Sequence, residues 1–238
     1  MIQIENRHIG HDQPTYIIAE IGINHNGDPD AAKALVDAAA KAGVHAVKFQ
    51  KRCLESLYSA DVLNHTDKYE QNFQYMIPLL KEVELSEEAI IDLKTYAESQ
   101  GLTFLCTPFD LPSAEFLGRI GVSAFKIASA DLNNMELIGC VAGFGKPMIV
   151  STGMSYWPEI EKTVDMLRAL LRNARATGLF RPRLLISLPP GSTEVEARAF
   201  IDAGLQAGAR QVRLLAQPLA ALLGAGVDIS GPYGHMVV

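Results

Sequence analysis

Two lysines of this chain lie inside short apolar runs, where a charged side chain is costly to bury. Lys48 stands between a valine and a phenylalanine, and Lys126 stands between a phenylalanine and an isoleucine. Because lysine is almost never buried without a partner, the two positions predict an anion between them, such as a substrate phosphate or carboxylate. The alternative is that each lysine forms a salt bridge with a carboxylate of the protein core.

Further polar side chains lie at or just after the ends of five predicted strands. They supply carboxylates, an amide and hydroxyl groups, at Glu20, Gln50, Thr107, Ser129, Asp131 and Ser151. In parallel α/β folds the reactive groups gather at the carboxyl ends of the strands. The hydroxyl groups are therefore predicted to complete the hydrogen bonds of the bound anion.

Two other side chains near these strand ends have both a structural and a chemical interpretation. His25 lies between two asparagines in a turn bounded by glycines, and the pattern fits a loop residue and a catalytic base equally. Cys106 has no histidine placed by the sequence to activate it, which favours a small buried hydrophobic residue over a nucleophile.

The elements that must position these residues alternate between apolar runs and amphipathic stretches. The predicted strands are residues 16–20, 45–50, 102–106, 124–127, 148–150, 184–188, 212–215 and 236–238. The predicted helices are residues 30–42, 86–100, 112–120, 135–142, 159–175, 193–207 and 218–226. The strands lack polar alternation, which favours a sheet buried on both faces, and strand–helix alternation implies parallel strands. The fold class is α/β.

One long polar and aromatic segment, residues 51–83, interrupts this alternation after the second strand. In a barrel this segment is a βα loop on the face where active sites lie. The helix after it has a clear start at Ser86, which is followed by two acidic residues, and a clear end at Gly101.

Composition narrows the classes of function. The net charge is −6, which disfavours a general nucleic-acid binder because such proteins cluster Lys and Arg. No apolar run reaches the length of a membrane span, and the chain opens without a signal peptide. Three widely spaced cysteines predict reduced thiols. We therefore expect a cytoplasmic protein that binds neither nucleic acid nor membrane.

Five motifs in order, over residues 1–160, resemble the N-acetylneuraminate (sialic acid) synthase family. They are IAEIGINHNGD at 18–28, VKFQKR at 47–52, CTPFD at 106–110, FKIASAD at 125–131 and IVSTGM at 149–154. The resemblance implies the first five strands of a (β/α) TIM barrel. It also implies a condensation of phosphoenolpyruvate with an N-acylated amino sugar, such as N-acetylmannosamine, to give a nine-carbon sialic acid.

The resemblance also implies roles for individual residues. Phosphoenolpyruvate would be held by Lys48, Thr107, Lys126, Ser129 and Ser151. Glu20 would act as the acid/base near the reacting carbons. Gln50 and Asp131 would face the sugar, although many members of the family carry glutamate at the position of Asp131.

The chain departs from the family after about residue 162. The family uses a divalent metal, Mn²⁺ or Mg²⁺, bound by two histidines on the sixth and seventh strands. This chain has no histidine between His65 and His235, so those ligands are missing. The family also has an antifreeze-like domain after the barrel, for which we expect no room in these 238 residues.

A second resemblance covers residues 175–238. Residues 179–196, 207–212, 217–221, 224–226 and 236–238 resemble bacterial actin-like proteins that determine rod shape. The resemblance implies one βαβα piece of a nucleotide-binding lobe. ATP binding is not expected, because residues 191–194 lack the GxxxxGK[ST] pattern of a phosphate loop.

Two functional hypotheses follow. The first is a condensing enzyme of the sialic acid synthase type. Its barrel part would be residues 1–165 and its actin-like βαβα segment residues 166–238. Together the two parts would form either a barrel-like or an open parallel sheet. The second is a catalytically inactive fusion of the same two parts. A homodimer is expected if the segment leaves the strand edges of the half barrel uncovered.

Overall fold

The computed structural model describes residues 2–10, 13–175, 183–188, 198, 201 and 211–216. The chain divides into two compact units. One unit is Ile18–Val122, called here the 18–122 unit. The other combines Met1–Ile17 with Ser123–Val238 and is called the 123–238 unit. Both contain parallel strands and helices, so the predicted α/β class is confirmed.

The described elements follow the predicted alternation of strand and helix. The strands are β1 (Ile2–Ile4), β2 (Arg7–Ile9), β3 (Ile18–Gly22), β4 (Ala46–Lys51), β5 (Thr103–Pro108), β6 (Phe125–Ile127), β7 (Met148–Ser151), β8 (Arg183–Leu188) and β9 (Gln211–Ala216). The helices are α1 (Pro29–Lys41), α2 (Leu54–Leu57), α3 (Ala60–Asn64), α4 (Gln71–Val83), α5 (Glu87–Ser99), α6 (Leu111–Arg119), α7 (Met135–Gly143) and α8 (Trp157–Arg175). Two 3₁₀ turns, Thr66–Lys68 and Ser129–Asp131, complete the list.

The 18–122 unit is built on three parallel strands in the order β3–β4–β5. Lys48 is opposite Leu105 and Gln50 is opposite Thr107, so these four residues share one side of the sheet. All of β5 is buried, and so is all of β4 except Gln50. Burial on both faces explains why these strands read as continuous apolar runs.

The carboxyl end of β3 carries a β-bulge. Glu20 pairs with Lys48, but Gly22 pairs with the next residue, Phe49, so Ile21 is an extra residue on β3. Gly22 has φ +59°, a conformation that favours glycine. The bulge ends the ladder and begins the loop that leads to α1.

Helix α5 has the ends that the sequence predicts. The hydroxyl of Ser86 accepts a hydrogen bond from the backbone N–H of Ala89, and the first turn carries Glu87 and Glu88. Such a cap satisfies an N–H that has no partner within the helix. Gly101 follows the C-cap with φ +75°.

The segment predicted as one long loop is largely helical. It folds into α2, α3, a 3₁₀ turn and α4, which buries Ile77, Leu80 and Val83 on one face. Pro78 lies inside α4. The segment does follow the second strand of the predicted parallel set, as the sequence indicates.

The 123–238 unit contains four parallel strands in the order β6–β7–β8–β9 and an antiparallel hairpin, β1–β2. Lys126 is opposite Ile149, and Ser151 is opposite Ser187. Helix α8 is tied to the loop after β6 because the Thr163 hydroxyl donates to the carbonyl of Leu132 at 2.6 Å. The hairpin was not predicted from the sequence.

The predicted strands at 184–188 and 212–215 are confirmed as β8 and β9. The predicted strand at 236–238 and the predicted helix at 218–226 lie outside the described residues, as does nearly all of the helix at 193–207. The boundary proposed between residues 165 and 166 falls within α8, and the division into a barrel part and an actin-like part stays a prediction. No helix in the described part of the chain is long and apolar enough to cross a membrane.

Candidate active site

Lys48 is the centre of a polar cluster at the carboxyl ends of β3, β4 and β5. Its Nζ lies 2.7 Å from Oε2 of Glu20 and donates to Oγ1 of Thr107 at 3.3 Å. The lysine side chain is only 6% exposed, whereas the side chain of Glu20 is 60% exposed. Lys48 is therefore buried with a carboxylate partner, and that partner opens to solvent.

This geometry corrects the reasoning that a buried Lys48 needs a ligand anion for charge balance. Within the protein its charge is already matched by Glu20. The salt-bridge alternative also needs amending, because Glu20 is not a core carboxylate. An anion that binds Lys48 would have to share it with Glu20 or displace that exposed partner.

Gln50 lies on the same side of β4 as Lys48 and is held by an arginine. Nη2 of Arg52 donates to Oε1 of Gln50 at 2.5 Å. The guanidinium stacks over the ring of Phe109, with Cζ 3.9 Å from the ring centroid. Burial lowers the pKa of Arg52, and the nearby Glu84 carboxylate opposes that shift. The sequence placed Arg52 at the strand end but gave it no role.

Lys51 lies on the opposite side of β4 and is saturated by the protein. Its Nζ contacts Oε1 of Glu84 at 2.6 Å and donates to the carbonyls of Leu85 at 2.9 Å and Arg52 at 3.3 Å. Both side chains are largely buried. Lys51 therefore anchors the chain that returns from α4, which the sequence did not show.

His25 is fixed within the loop that follows β3. Its Nδ1 accepts a hydrogen bond from the backbone N–H of Gly27 at 3.1 Å, and its ring lies 5.9 Å from the ring of Phe49. Burial lowers the pKa of His25, although a hydrogen bond with the Gly22 backbone raises it in part. A neutral ring whose basic nitrogen is already bonded fits the structural interpretation and not that of a base.

Cys106 is fully buried on β5, and burial raises the pKa of its thiol to about 12. The thiol is therefore protonated at neutral pH and is not a nucleophile. Asp110 is also structural. Its carboxylate caps α6 by accepting from the N–H of Ser113 and ties down the start of α2 by accepting from the N–H of Cys53.

The remaining predicted site residues belong to the 123–238 unit. Lys126 is half-buried on β6, and its Nζ donates to the carbonyl of Ile127 at 3.1 Å. Ser129 and Asp131 lie on the 3₁₀ turn directly after β6, and Ser151 is buried at the end of β7. Lys126 and Ser151 face the same side of their neighbouring strands, because Lys126 is opposite Ile149.

Gly153 lies beside Ser129. A Cβ atom placed on Gly153 would lie 3.6 Å from Cβ and 3.8 Å from Oγ of Ser129. The loop after β7 thus passes directly beside the turn after β6. Met154, the next residue, has φ +61° and is exposed.

The described residues do not fit the metal that the family resemblance implies. They contain no group of three or more His, Cys, Asp or Glu side chains able to hold an ion. The six histidines of the chain are His8, His11, His25, His45, His65 and His235, so β8 and β9 carry none. No step of the proposed chemistry below therefore uses a metal.

Comparison with known proteins agrees with the first resemblance. The model described as "NeuB family" matches residues 35–179. The model described as "MreB/Mbl protein" matches residues 157–238, but this match is weak and the relatives and solved structures give it no further support.

Three curated relatives illustrate the likeness. The spore coat polysaccharide biosynthesis protein SpsE of Bacillus subtilis is 38% identical over 70% of this chain and 44% of its own length. The N,N'-diacetyllegionaminic acid synthase of Campylobacter jejuni is 36% identical over 64% and 46%. The N-acetylneuraminate-9-phosphate synthase of Homo sapiens is 33% identical over 70% and 47%. The chain spans less than half the length of each.

The fold is shared with a solved structure. The N-acetylneuraminic acid (sialic acid) synthetase of Leptospira borgpetersenii, crystallised with citrate, superposes with a TM-score of 0.61 and 27% identity. The match covers 90% of this chain and 77% of the other. Neighbours of this kind are TIM-barrel sialic acid synthases, in agreement with the predicted fold class.

Proposed function

The chain belongs to the NeuB family, and from this premise we propose that it is a phosphoenolpyruvate-dependent condensing enzyme of the sialic acid synthase type. The acceptor would be an N-acylated amino sugar and the product a nonulosonic acid. The observation that carries the proposal is the cluster of Lys48, Glu20 and Thr107 at the ends of three parallel strands. The names of the relatives, which are synthases of legionaminic and neuraminic acids, support the same class of product.

The proposed reaction joins two molecules and consumes water. The C3 methylene carbon of phosphoenolpyruvate bonds to the aldehyde carbon of the amino sugar, whose oxygen takes up a proton and becomes a hydroxyl group. Water adds to C2 and supplies the protons for that hydroxyl group and for the departing phosphate. The bond between C2 and the phosphate oxygen breaks, so C2 becomes a ketone and inorganic phosphate leaves. Lys48 and Thr107 supply N–H and O–H donors for an anionic oxygen of phosphoenolpyruvate, and a buried cation is worth more there than in water. Lys126, Ser129 and Ser151 keep their proposed role in binding phosphoenolpyruvate, and Asp131 its proposed contact with the sugar.

Glu20 is suited to the proton transfers of this reaction. It is an exposed carboxylate 2.7 Å from a buried lysine, so it can reach both water and a ligand bound at Lys48. A carboxylate released from Lys48 by an incoming anion becomes available to accept a proton from the attacking water. Glu20 is therefore the proposed acid/base.

The proposal is tested by calorimetric titration of phosphoenolpyruvate into the full chain, with and without manganese. Saturable binding is expected, with at least about 100-fold weaker binding in Lys48→Met and in Lys126→Met, because each removes a charged donor. Lys94→Met is the matched control, since Lys94 also pairs with a glutamate, Glu98, but within helix α5. No binding by the unsubstituted chain would refute the proposal.

An inactive fusion is the second candidate. It is favoured by one observation, the lack of a metal-ligand group among the described residues of a chain whose family resemblance implies a metal. Binding of phosphoenolpyruvate without any sugar condensation, at any manganese concentration, would support it. We also keep a cytoplasmic location and a homodimer as proposals, and sedimentation of the purified chain tests the latter.

A further inference from the structure

Arg52 and Gln50 form a fixed pair at the carboxyl end of β4. The two side chains meet through Nη2 of Arg52 and Oε1 of Gln50, 2.5 Å apart. Arginine has only N–H donors, so the atom of Gln50 that faces it must be the amide oxygen. The amide orientation, which is often ambiguous, is thereby determined by chemistry.

The amide nitrogen of Gln50, Nε2, is therefore not used in the contact with Arg52. With Oε1 occupied, Nε2 retains two N–H donors. It lies beside the bulge of β3, at 3.4 Å from the position that a Cβ atom on Gly22 would take. The glycine therefore leaves room beside these donors on the side of the sheet that also carries Lys48 and Thr107.

Besides its contact with Gln50, Arg52 contacts Phe109 and Glu84. Its guanidinium stacks on Phe109 at 3.9 Å, and its backbone N–H donates to Oε1 of Glu84 at 3.2 Å. Its Nη1 is buried and has no hydrogen-bond partner among the described residues. A buried unpaired donor destabilises the folded state, so stability alone is a poor explanation for an arginine here.

We propose that Arg52 is a positioning residue that fixes the Gln50 amide so that Nε2 donates to a carbonyl oxygen of the N-acylated acceptor sugar. This inference rests on the proposed function, because it names the group of the acceptor that the same site recognises. Aldehyde and N-acyl groups both carry a carbonyl oxygen, which accepts but does not donate. A Gln50 locked as a donor is matched to such an acceptor oxygen. Arg52 is not proposed to touch the substrate.

The test uses the full chain with bound phosphoenolpyruvate and N-acetylmannosamine as the titrant. Arg52→Met is expected to weaken sugar binding about tenfold, the size of one net hydrogen bond, because the amide becomes free to rotate. Arg52→Lys should restore part of the affinity by donating to Oε1. Gln50→Glu should weaken sugar binding at least as much, because its carboxylate offers no N–H. Phosphoenolpyruvate affinity should fall much less than sugar affinity in Arg52→Met and Arg52→Lys.

The control for loss of a stacked arginine is Arg119→Met, since Arg119 lies over the ring of Phe116 at 5.8 Å on the exposed side of α6. A second readout is the side-chain amide signal of Gln50 in a ¹H–¹⁵N spectrum, assigned by its loss in Gln50→Glu. That signal should move in Arg52→Met and stay in place in Arg119→Met. This measurement detects the contact whether or not the sugar binds.

Three results would overturn the inference. The first is unchanged sugar affinity in Arg52→Met, the second is an unmoved Gln50 amide signal, and the third is no sugar binding by a chain that does bind phosphoenolpyruvate. In each case the proposed binding of phosphoenolpyruvate would be unaffected. Failure of phosphoenolpyruvate binding, by contrast, would remove the proposed function itself.

Discussion

Lys48 and Lys51 lie three residues apart on β4, and each contacts a glutamate, at 2.7 Å and 2.6 Å. Because side chains alternate along a strand, they belong to opposite sides of the sheet. On the Lys48 side the glutamate partner, Glu20, is 60% exposed. On the Lys51 side the partner, Glu84, is 17% exposed, and two backbone carbonyls complete the coordination of the ammonium group.

Exposure of the carboxylate distinguishes an ion pair that can bind a ligand from a structural ion pair when the two N–O distances are nearly the same. The Lys51 pair is closed, and each donor has an acceptor supplied by the protein. The Lys48 pair is open at one end, so a ligand anion can replace the exposed carboxylate without leaving Lys48 uncompensated.

The largest effect is expected from Gly27→Ala, near the chain segment that carries Glu84. A Cβ atom on Gly27 would lie 2.2 Å from the backbone carbonyl oxygen of Glu82, and its φ is +78°. We expect a loss of about 4 kcal/mol in the free energy of unfolding, from backbone strain plus overpacking. Urea unfolding measures it. Gly101→Ala is the matched control, because Gly101 has φ +75° with open space around its Cβ position, and should lose only the strain, about 1 kcal/mol.

The second-largest loss in the free energy of unfolding is expected from Lys51→Met. It leaves the Glu84 carboxylate largely buried without its cation, and the free energy of unfolding should fall by about 3 kcal/mol. Phosphoenolpyruvate affinity should be unchanged at temperatures where the variant is folded. Arg119→Met, which breaks a contact with Glu87 in which both side chains are more than half exposed, should lose less than about 1 kcal/mol in the same urea titration. A loss in Lys51→Met no greater than in this control would contradict the closed-pair interpretation.

Lys48→Met should behave in the opposite way. Glu20 remains solvated when its partner is removed, and only the Thr107 hydroxyl loses a buried hydrogen bond. The free energy of unfolding should therefore fall by only about 1 kcal/mol, while phosphoenolpyruvate binding weakens at least about 100-fold. Urea unfolding and calorimetry on the same sample check both. Equal destabilisation by Lys48→Met and Lys51→Met would remove the contrast.

Part of this contrast could be predicted from the sequence. Apolar runs around Lys48 and Thr107 indicate neighbouring buried strands, and parallel strands bring their carboxyl ends together. Because side chains alternate along a strand, the sequence also predicts that Lys51 and Lys48 lie on opposite sides of the sheet. The partner of Lys51 could not be predicted, because Glu84 lies 33 residues further on, beyond a segment whose helices the polar composition concealed.

Other features depend on tertiary contacts or on short patterns. The contact between Arg52 and Gln50 requires the ring of Phe109, which arrives from β5. The β1–β2 hairpin consists of strands of three residues each, too short for a hydrophobic period to show. In α4, by contrast, the spacing of Ile77, Leu80 and Val83 fits a buried helical face, and Pro78 obscured it.

The smallest expected effect concerns His25, which lies on the Lys51 side through its contact with Phe49. Burial lowers the pKa of His25 in the folded state below the ordinary value of 6.5. The unfolded chain therefore binds more protons than the folded chain as the pH falls past about 6.5, and linkage makes the folded state less stable there. The contribution is fully present above the unfolded pKa and is lost as the pH falls toward the folded pKa.

Thermal unfolding between pH 7.5 and pH 5.5 tests this, with His25→Asn as the variant. The asparagine side-chain oxygen can accept from the Gly27 N–H in place of Nδ1, so the loop contact is kept while the titration is removed. The fall in midpoint with decreasing pH should be smaller in His25→Asn than in the unsubstituted chain. An identical pH dependence in the two chains would show that the pKa of His25 is the same in the folded and unfolded states, and would contradict the burial of its ring against Phe49.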